Sequence, residues 1–143
     1  VDLSHLNEKG FWDVAQLSTA PLVATHSNAH ALSASSRNLT DDQIEALAQN
    51  GGSMGVTFVP YFVDDTTPTL EKLLNHIDHA VKTIGIDHVG IGSDFDGVPA
   101  LPDGLTNASM LPALTASVWL NAGPLTACAA LPPLPTRKTV RPS

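Results

Sequence analysis

Residues 70–94 read LEKLLNHIDHAVKTIGIDHVGIGSD and hold one complete helix–strand unit. In the first part, apolar side chains recur with the 3.6-residue period of a helix that buries one stripe, at Leu70, Leu73, Leu74, Ile77, Val81 and Ile84. Gly85 is expected to end this helix, because glycine accepts the backbone conformation of a C-terminal cap. A short apolar strand over His88–Ser93 then leads to Asp94. The stretch therefore predicts an α/β unit with an acidic side chain at the C-terminal end of its strand.

The same alternation fills the preceding residues. Strands are predicted at Val1–Leu6, Leu22–Ser27 and Ser53–Val59, and helices at Glu8–Ser18 and Asp41–Gln49. Thr40 and Gln43 have the spacing of a capping box, and the helix quoted above should begin near Thr67, Pro68 or Thr69. Four alternating strands and helices predict a parallel sheet with helices outside it.

A closed barrel of eight such units needs about 250 residues. The fold class expected is therefore α/β, the C-terminal half (about four βα units) of a (β/α)8 TIM-type barrel. An open doubly wound sheet is the alternative, but no glycine-rich phosphate loop follows the first strand. Because Val1 lies within a strand-like run, a preceding part of the protein is expected to be missing.

Charge and hydropathy limit the partners. The 143 residues carry a net charge of −7, which argues against nucleic acid as a partner. No apolar run approaches the roughly 18 residues of a membrane span, so no membrane segment is expected in this chain and a cytoplasmic location is predicted. The single cysteine, Cys128, excludes an internal disulfide.

The composition changes towards the C-terminus. All 14 acidic residues lie within 1–103, and five of the 11 prolines fall from Pro124 onward. A folded domain is therefore predicted over 1–115, followed by a proline-rich tail over 116–143 with little regular structure. A shift of reading frame near 115–118 would explain both changes, and a natural linker is the alternative.

Polar side chains end three of the predicted strands. His5, His26 and Asp94 follow separate strands, and the carboxyl ends of parallel strands meet at one edge of a sheet, where barrel enzymes place their chemistry. Imidazole and carboxylate groups are also the usual ligands of catalytic zinc. Gly90 and Gly92 share the face of Asp94 and are expected to leave open volume beneath it. The alternative is that each polar group is an ordinary strand end.

Four segments carry a family resemblance. Asp2–His5, Thr25–Ala29, Ser36–Asn38 and Gly90–Val98 resemble segments of the renal (membrane) dipeptidase family, in order and at family spacing. His26 lies 21 residues after His5, and Arg37 lies 11 after His26. The resemblance extends from Val1 to about Thr115.

The resemblance implies a zinc-dependent dipeptidase with two zinc ions that share a hydroxide in the intact active site. By this resemblance His5 and His26 ligate one zinc, Arg37 contacts the dipeptide substrate, and Asp94 binds substrate and exchanges protons. It also allows a homodimer of the intact protein. The family's H-x-D strand and its metal-bridging glutamate have no strand-end counterpart here, so the isolated chain is predicted to be an inactive fragment.

Two other functions stay open: a different binuclear metal-dependent amidohydrolase-type enzyme, and a non-catalytic truncated product. The H-x-H strand typical of many amidohydrolases is not found at a strand end. Three further histidines are assigned to other places. His76 is predicted on the solvated face of its helix, His30 at a pocket rim, and His88 in a structural position.

Overall fold

A computed structural model describes residues 1–121. Five helices and three strands follow one another: α1 Glu8–Leu17, β1 Val23–Ala24, α2 Asp41–Gln49, β2 Ser53–Val56, α3 Pro60–Val63, α4 Leu70–Ile84, β3 Val89–Ile91 and α5 Leu111–Asn121. Short 3-10 turns lie at Ile86–His88, Phe95–Gly97 and Ala108–Met110. Within this part of the chain no helix is long and apolar enough to cross a membrane.

The three strands form a parallel sheet in the order β1-β2-β3. Before β1, residue Asp2 pairs with Val23, also in parallel, so the first residues continue the sheet beyond β1. The assigned strands are shorter than predicted. One reason is that the Asn28 side chain replaces backbone pairing after β1: its amide donates to the Thr57 carbonyl at 3.1 Å and accepts from the Thr57 N–H at 3.0 Å.

Side-chain caps set the helix starts. The capping box of α2 is confirmed, since Thr40 accepts from the Gln43 N–H at 3.3 Å and Gln43 accepts from the Thr40 N–H at 2.9 Å. Thr69 caps α4 by accepting from the Lys72 N–H at 3.2 Å. Gly85 ends α4 with a φ of 83°, as predicted. The short helix α3 was not predicted, and it begins at Pro60, after β2 has already ended at Val56 rather than at the predicted Val59.

The core lies between the sheet and the helices. Along β2, Met54 and Val56 are buried, whereas Ser53 and Gly55 on the opposite face are half-buried. The buried side chains of the core come from most elements, and the largest include Phe11, Ile44, Leu47, Met54, Phe58 and Leu73. A parallel sheet is normally covered on both faces. The helices described here cover one of them.

The helix α5 reaches Asn121 and so includes 116–121, the first residues of the segment predicted to be irregular. Residues 122–143 lie outside the part that the structure describes, and for them the tail remains a prediction.

Candidate metal and substrate site

The structure brings His5 and His26 together. The Leu3 N–H donates to the Val23 carbonyl at 2.8 Å, and the Val23 N–H donates to the Val1 carbonyl at 3.2 Å. This parallel pairing places the residues that follow the two strands side by side. The Nε2 atoms of the two histidines lie 2.9 Å apart, and the ring centroids lie 4.9 Å apart. The expected meeting of these two strand ends is therefore present.

Arg37 joins the histidine pair from the loop between β1 and α2. Its Nε donates to the Ser4 carbonyl at 3.0 Å, and its guanidinium lies over the Phe62 ring at 5.1 Å from the centroid. One terminal nitrogen then lies 3.3 Å from Nε2 of His26 and 3.5 Å from Nε2 of His5. A guanidinium fixed by a carbonyl and an aromatic ring is well suited to bind an anion next to the two imidazoles.

The other ring nitrogen of His26 is bonded as well. Nδ1 lies 2.8 Å from the Thr25 hydroxyl, which lies 2.6 Å from Oδ2 of Asp2. Oδ1 of Asp2 accepts from the backbone N–H groups of Ser4 and Thr25, both at 3.1 Å. Burial raises the pKa of Asp2, but these hydrogen bonds outweigh it and the pKa is lowered to about 2. Asp2 is therefore an anion that links the strand before β1 to β1. The sequence interpretation did not single out Asp2 or Thr25.

Asp94 lies at the C-terminal end of β3, the same edge of the sheet, but it is not in hydrogen-bond contact with His5, His26 or Arg37. It has a φ of 59°, the only positive φ of a non-glycine residue among those described. Its carboxylate folds over Gly97, where a Cβ would lie 2.7 Å from Cγ of Asp94. Hence position 97 requires a residue without a side chain for Asp94 to take this position.

The two glycines below Asp94 differ. Gly90 does face open space, because a Cβ there would meet nothing nearer than the Met54 carbonyl oxygen at 3.9 Å. Gly92 does not. A Cβ at Gly92 would overlap the carbonyl oxygen of Thr25 and lie 2.9 Å from its carbonyl carbon and 3.0 Å from the Gly55 oxygen. The expectation of open volume is thus wrong for Gly92, whose absent side chain lets the backbone before His26 approach.

The prediction that His76 is solvated is wrong. His76 is 1% exposed, its Nδ1 accepts from the Ala29 N–H at 3.1 Å, and its Nε2 donates to the Val63 carbonyl at 2.9 Å. Burial lowers the pKa of His76, which favours the neutral ring that these two bonds require. His76 therefore ties the loop after His26 to α3. His76 lies three residues after Leu73, next to Ile77, and four residues before Ala80. This position beside the apolar stripe is the signal that could have predicted its burial.

His30 and His88 match their interpretations. The exposed His30 lines a cavity beside Arg37 and takes no part in the imidazole pair. His88 donates from Nδ1 to the Gly52 carbonyl at 2.7 Å, which is a structural contact.

Two imidazoles fit part of a zinc site. Zn–N distances of about 2.0–2.1 Å at a tetrahedral angle put two ligand nitrogens about 3.3 Å apart, a few tenths of an ångström more than the 2.9 Å between the Nε2 atoms of His5 and His26. Across residues 1–121, however, no three or more His, Cys, Asp or Glu side chains are grouped to hold a metal ion. The pair thus fits zinc as two of its ligands, and further ligands must come from elsewhere.

A parallel α/β layer with two imidazoles and a guanidinium at the carboxyl edge of its sheet is an arrangement expected of metal-dependent hydrolases. The family model described as membrane dipeptidase (peptidase family M19) matches residues 1–122. The chain therefore belongs to the membrane dipeptidase family of metallopeptidases.

Individual proteins are also similar to most of this chain. The chain is 50% identical over 120 residues to an uncharacterized protein in the pqqA 5' region of Klebsiella pneumoniae, covering 80% of this chain and 44% of that protein. It is 39% identical over 120 residues to dipeptidase tcpJ of Claviceps purpurea, covering 82% of this chain and 28% of that protein.

A solved structure is also similar, that of a metallo peptidase from Rhodobacter sphaeroides liganded with a phosphinate mimic of the dipeptide L-Ala-D-Ala. The TM-score is 0.80 at 48% identity, and the match covers 85% of this chain and 36% of that one. The chain spans less than half the length of each of these three proteins.

Proposed function

We propose that this chain is the C-terminal half of a (β/α)8 barrel whose intact protein hydrolyses dipeptides with zinc, and that His5 and His26 supply two zinc ligands. One observation carries the proposal: the two Nε2 atoms and a terminal nitrogen of Arg37 converge within 3.5 Å of one another. When bound, zinc supplies activation of a water molecule and polarisation of a peptide carbonyl.

The charge of Arg37 favours an anionic substrate. A guanidinium and a metal cation beside the same two nitrogens repel each other, so an anion must accompany them. A dipeptide brings a carboxylate, and its scissile carbonyl develops negative charge during hydrolysis. Arg37 therefore binds one of these oxygens in the proposed complex, with its orientation already fixed by Ser4 and Phe62.

Asp94 is the proposed proton carrier. It is half-buried at the same edge of the sheet as His5 and His26. In the proposed reaction the carboxylate takes a proton from the attacking water and passes it to the leaving amine, so that the proton balance of peptide hydrolysis is closed within the site.

The partly exposed face of the sheet supports the half-barrel. Ser53 and Gly55 of β2 are half-buried and Gly90 of β3 is exposed, on the side away from the helices. In a closed barrel this face would become the packed interior. The other strands, and with them the missing zinc ligands, are proposed to come from a part of the protein that this chain does not contain.

Complementation tests this function. The 143-residue chain is mixed with the N-terminal half of a family relative, zinc and a simple dipeptide, and turnover is compared with that of the chain alone. We expect turnover only from the mixture, and loss of at least about 100-fold on His26→Ala. His30→Ala is the matched control, because His30 lies on the same loop outside the imidazole pair.

Two results would contradict the proposal. Turnover by the chain alone within about tenfold of the mixture would show that the absent strands are not essential. Equal loss from His26→Ala and His30→Ala would show that the imidazole pair has no special role. If a complemented protein binds zinc but hydrolyses no dipeptide, the result favours another metal-dependent amidohydrolase. If it binds no zinc, the result favours a non-catalytic chain.

A further inference from the structure

The two ring nitrogens of His26 have different partners, and the hydrogen-bond donors and acceptors around the ring determine which nitrogen carries the proton. The ionised Asp2 carboxylate can only accept, so the Thr25 hydroxyl donates its one hydrogen to Oδ2 across 2.6 Å. The Thr25 oxygen then has only lone pairs left for its second contact. Nδ1 of His26, 2.8 Å away, must therefore be the donor in that contact.

The environment of Nε2 agrees with this assignment. A guanidinium has five N–H donors and no acceptor. The terminal nitrogen of Arg37 lies 3.3 Å from Nε2 of His26 and 3.5 Å from Nε2 of His5, and its shorter contact is favourable only if Nε2 of His26 carries a bare lone pair. Nε2 of His26 is then also the acceptor in the 2.9 Å contact with His5, which donates from its own Nε2.

We infer that Asp2 and Thr25 are positioning residues of this site: the relay Asp2–Thr25–His26 holds the proton on Nδ1 of His26 and keeps Nε2 unprotonated and directed at His5. A metal-bound histidine usually donates its second nitrogen to a carboxylate, a carbonyl or water. Here a threonine hydroxyl stands between the ring and the carboxylate. The functional consequence, though not the tautomer itself, rests on the proposed role of His26 as a zinc ligand.

Asp2 is itself held by two strands. Its Oδ1 accepts from the Ser4 N–H in its own strand and from the Thr25 N–H in β1. The carboxylate that sets the His26 ring thus also fixes the lateral position of the strand that leads to His5. The relay therefore couples the orientation of one imidazole to the position of the other.

Three substitutions separate the relay from the fold. Thr25→Val removes the hydroxyl but keeps the branched shape, and Thr25→Ser keeps the hydroxyl and is the matched control. Asp2→Asn keeps an oxygen for the two backbone N–H groups but offers Thr25 an N–H₂ donor. The Thr25 hydroxyl is then free to donate to Nδ1, so Asp2→Asn should reverse the relay without removing its backbone contacts.

Long-range 1H–15N NMR spectra of the 143-residue chain read the tautomer directly, without metal, at about pH 8, above the ordinary histidine pKa of about 6.5. The proton of His26 is expected on Nδ1 in the unsubstituted chain and in Thr25→Ser. In Thr25→Val and Asp2→Asn it should move to Nε2. Nδ1–H retained in both of these, or Nε2–H in the unsubstituted chain, would overturn the inference. A structural role alone would leave the tautomer unchanged.

Zinc titration of the complemented protein gives the second readout. Thr25→Val and Asp2→Asn should weaken zinc binding by about 10–100-fold, whereas Thr25→Ser stays near the unsubstituted value. Affinities equal to that of the unsubstituted protein in both variants would overturn the positioning role. If His26→Ala leaves zinc affinity unchanged, the proposed ligand role of His26 fails instead, and the NMR result still decides the tautomer.

Discussion

Replacing Gly92 by alanine should disrupt the backbone that carries His26, whereas the same change at Gly90 should not. The alanine Cβ at position 92 would overlap the Thr25 carbonyl oxygen and lie 2.9 Å from its carbonyl carbon, where carbon atoms prefer about 3.5–4.0 Å. The Gly55 oxygen at 3.0 Å closes the other side. Because all of these neighbours are backbone atoms, no side-chain rotation can relieve the overlap.

The cost should therefore lie at the upper end of the overpacking range, about 3 kcal/mol in the free energy of unfolding. At position 90 the nearest atom is the Met54 oxygen at 3.9 Å, which is an ordinary contact. Alanine there removes the backbone freedom of an unfolded glycine and should be neutral or stabilising by up to about 1 kcal/mol. A difference of 3 kcal/mol corresponds to roughly 150-fold in the ratio of folded to unfolded chain.

Urea unfolding followed by circular dichroism measures both variants, with the slope of free energy against urea checked for constancy. NMR resonances of the His26 ring give a local readout. These should shift in Gly92→Ala and remain in Gly90→Ala. Equal unfolding midpoints for the two variants would refute the reasoning, because the close approach of Thr25 to Gly92 would then carry no energetic weight.

Two further predictions concern stability. Because the pKa of His76 is lowered in the folded chain, the unfolded chain protonates this ring more readily, so its contribution to stability is complete above about pH 6.5 and is lost as the pH falls towards the folded-state pKa. Urea unfolding across this pH range should show a weaker pH dependence in His76→Gln. An unchanged pH dependence would contradict the assignment. Thr40→Ala should cost about 1 kcal/mol of unfolding free energy, because it removes one half of the capping box, while Thr40→Ser should retain most of it; thermal denaturation of the two variants decides.

Local sequence determined the features that depend on neighbours along the chain. The period of the apolar residues fixed α4, and the cap residues Thr40 and Gly85 fixed where helices begin or end. The strand ends placed His5 and His26 at one edge of a parallel sheet. Their approach followed from the regular spacing of strands, since parallel strands that lie next to each other bring their carboxyl ends together.

Only the tertiary structure decided contacts between residues far apart in sequence. His76 was predicted on a solvated face, but its two ring nitrogens bond the Ala29 N–H and the Val63 carbonyl, which come from two other segments. Gly92 was predicted to leave open volume, because its neighbour Thr25 lies 67 residues earlier and local sequence does not show that contact. The proton position of His26 likewise depends on Asp2, 24 residues away. Sequence periodicity reports which side of an element is apolar, whereas hydrogen-bond partners and close approaches depend on which elements the chain packs together.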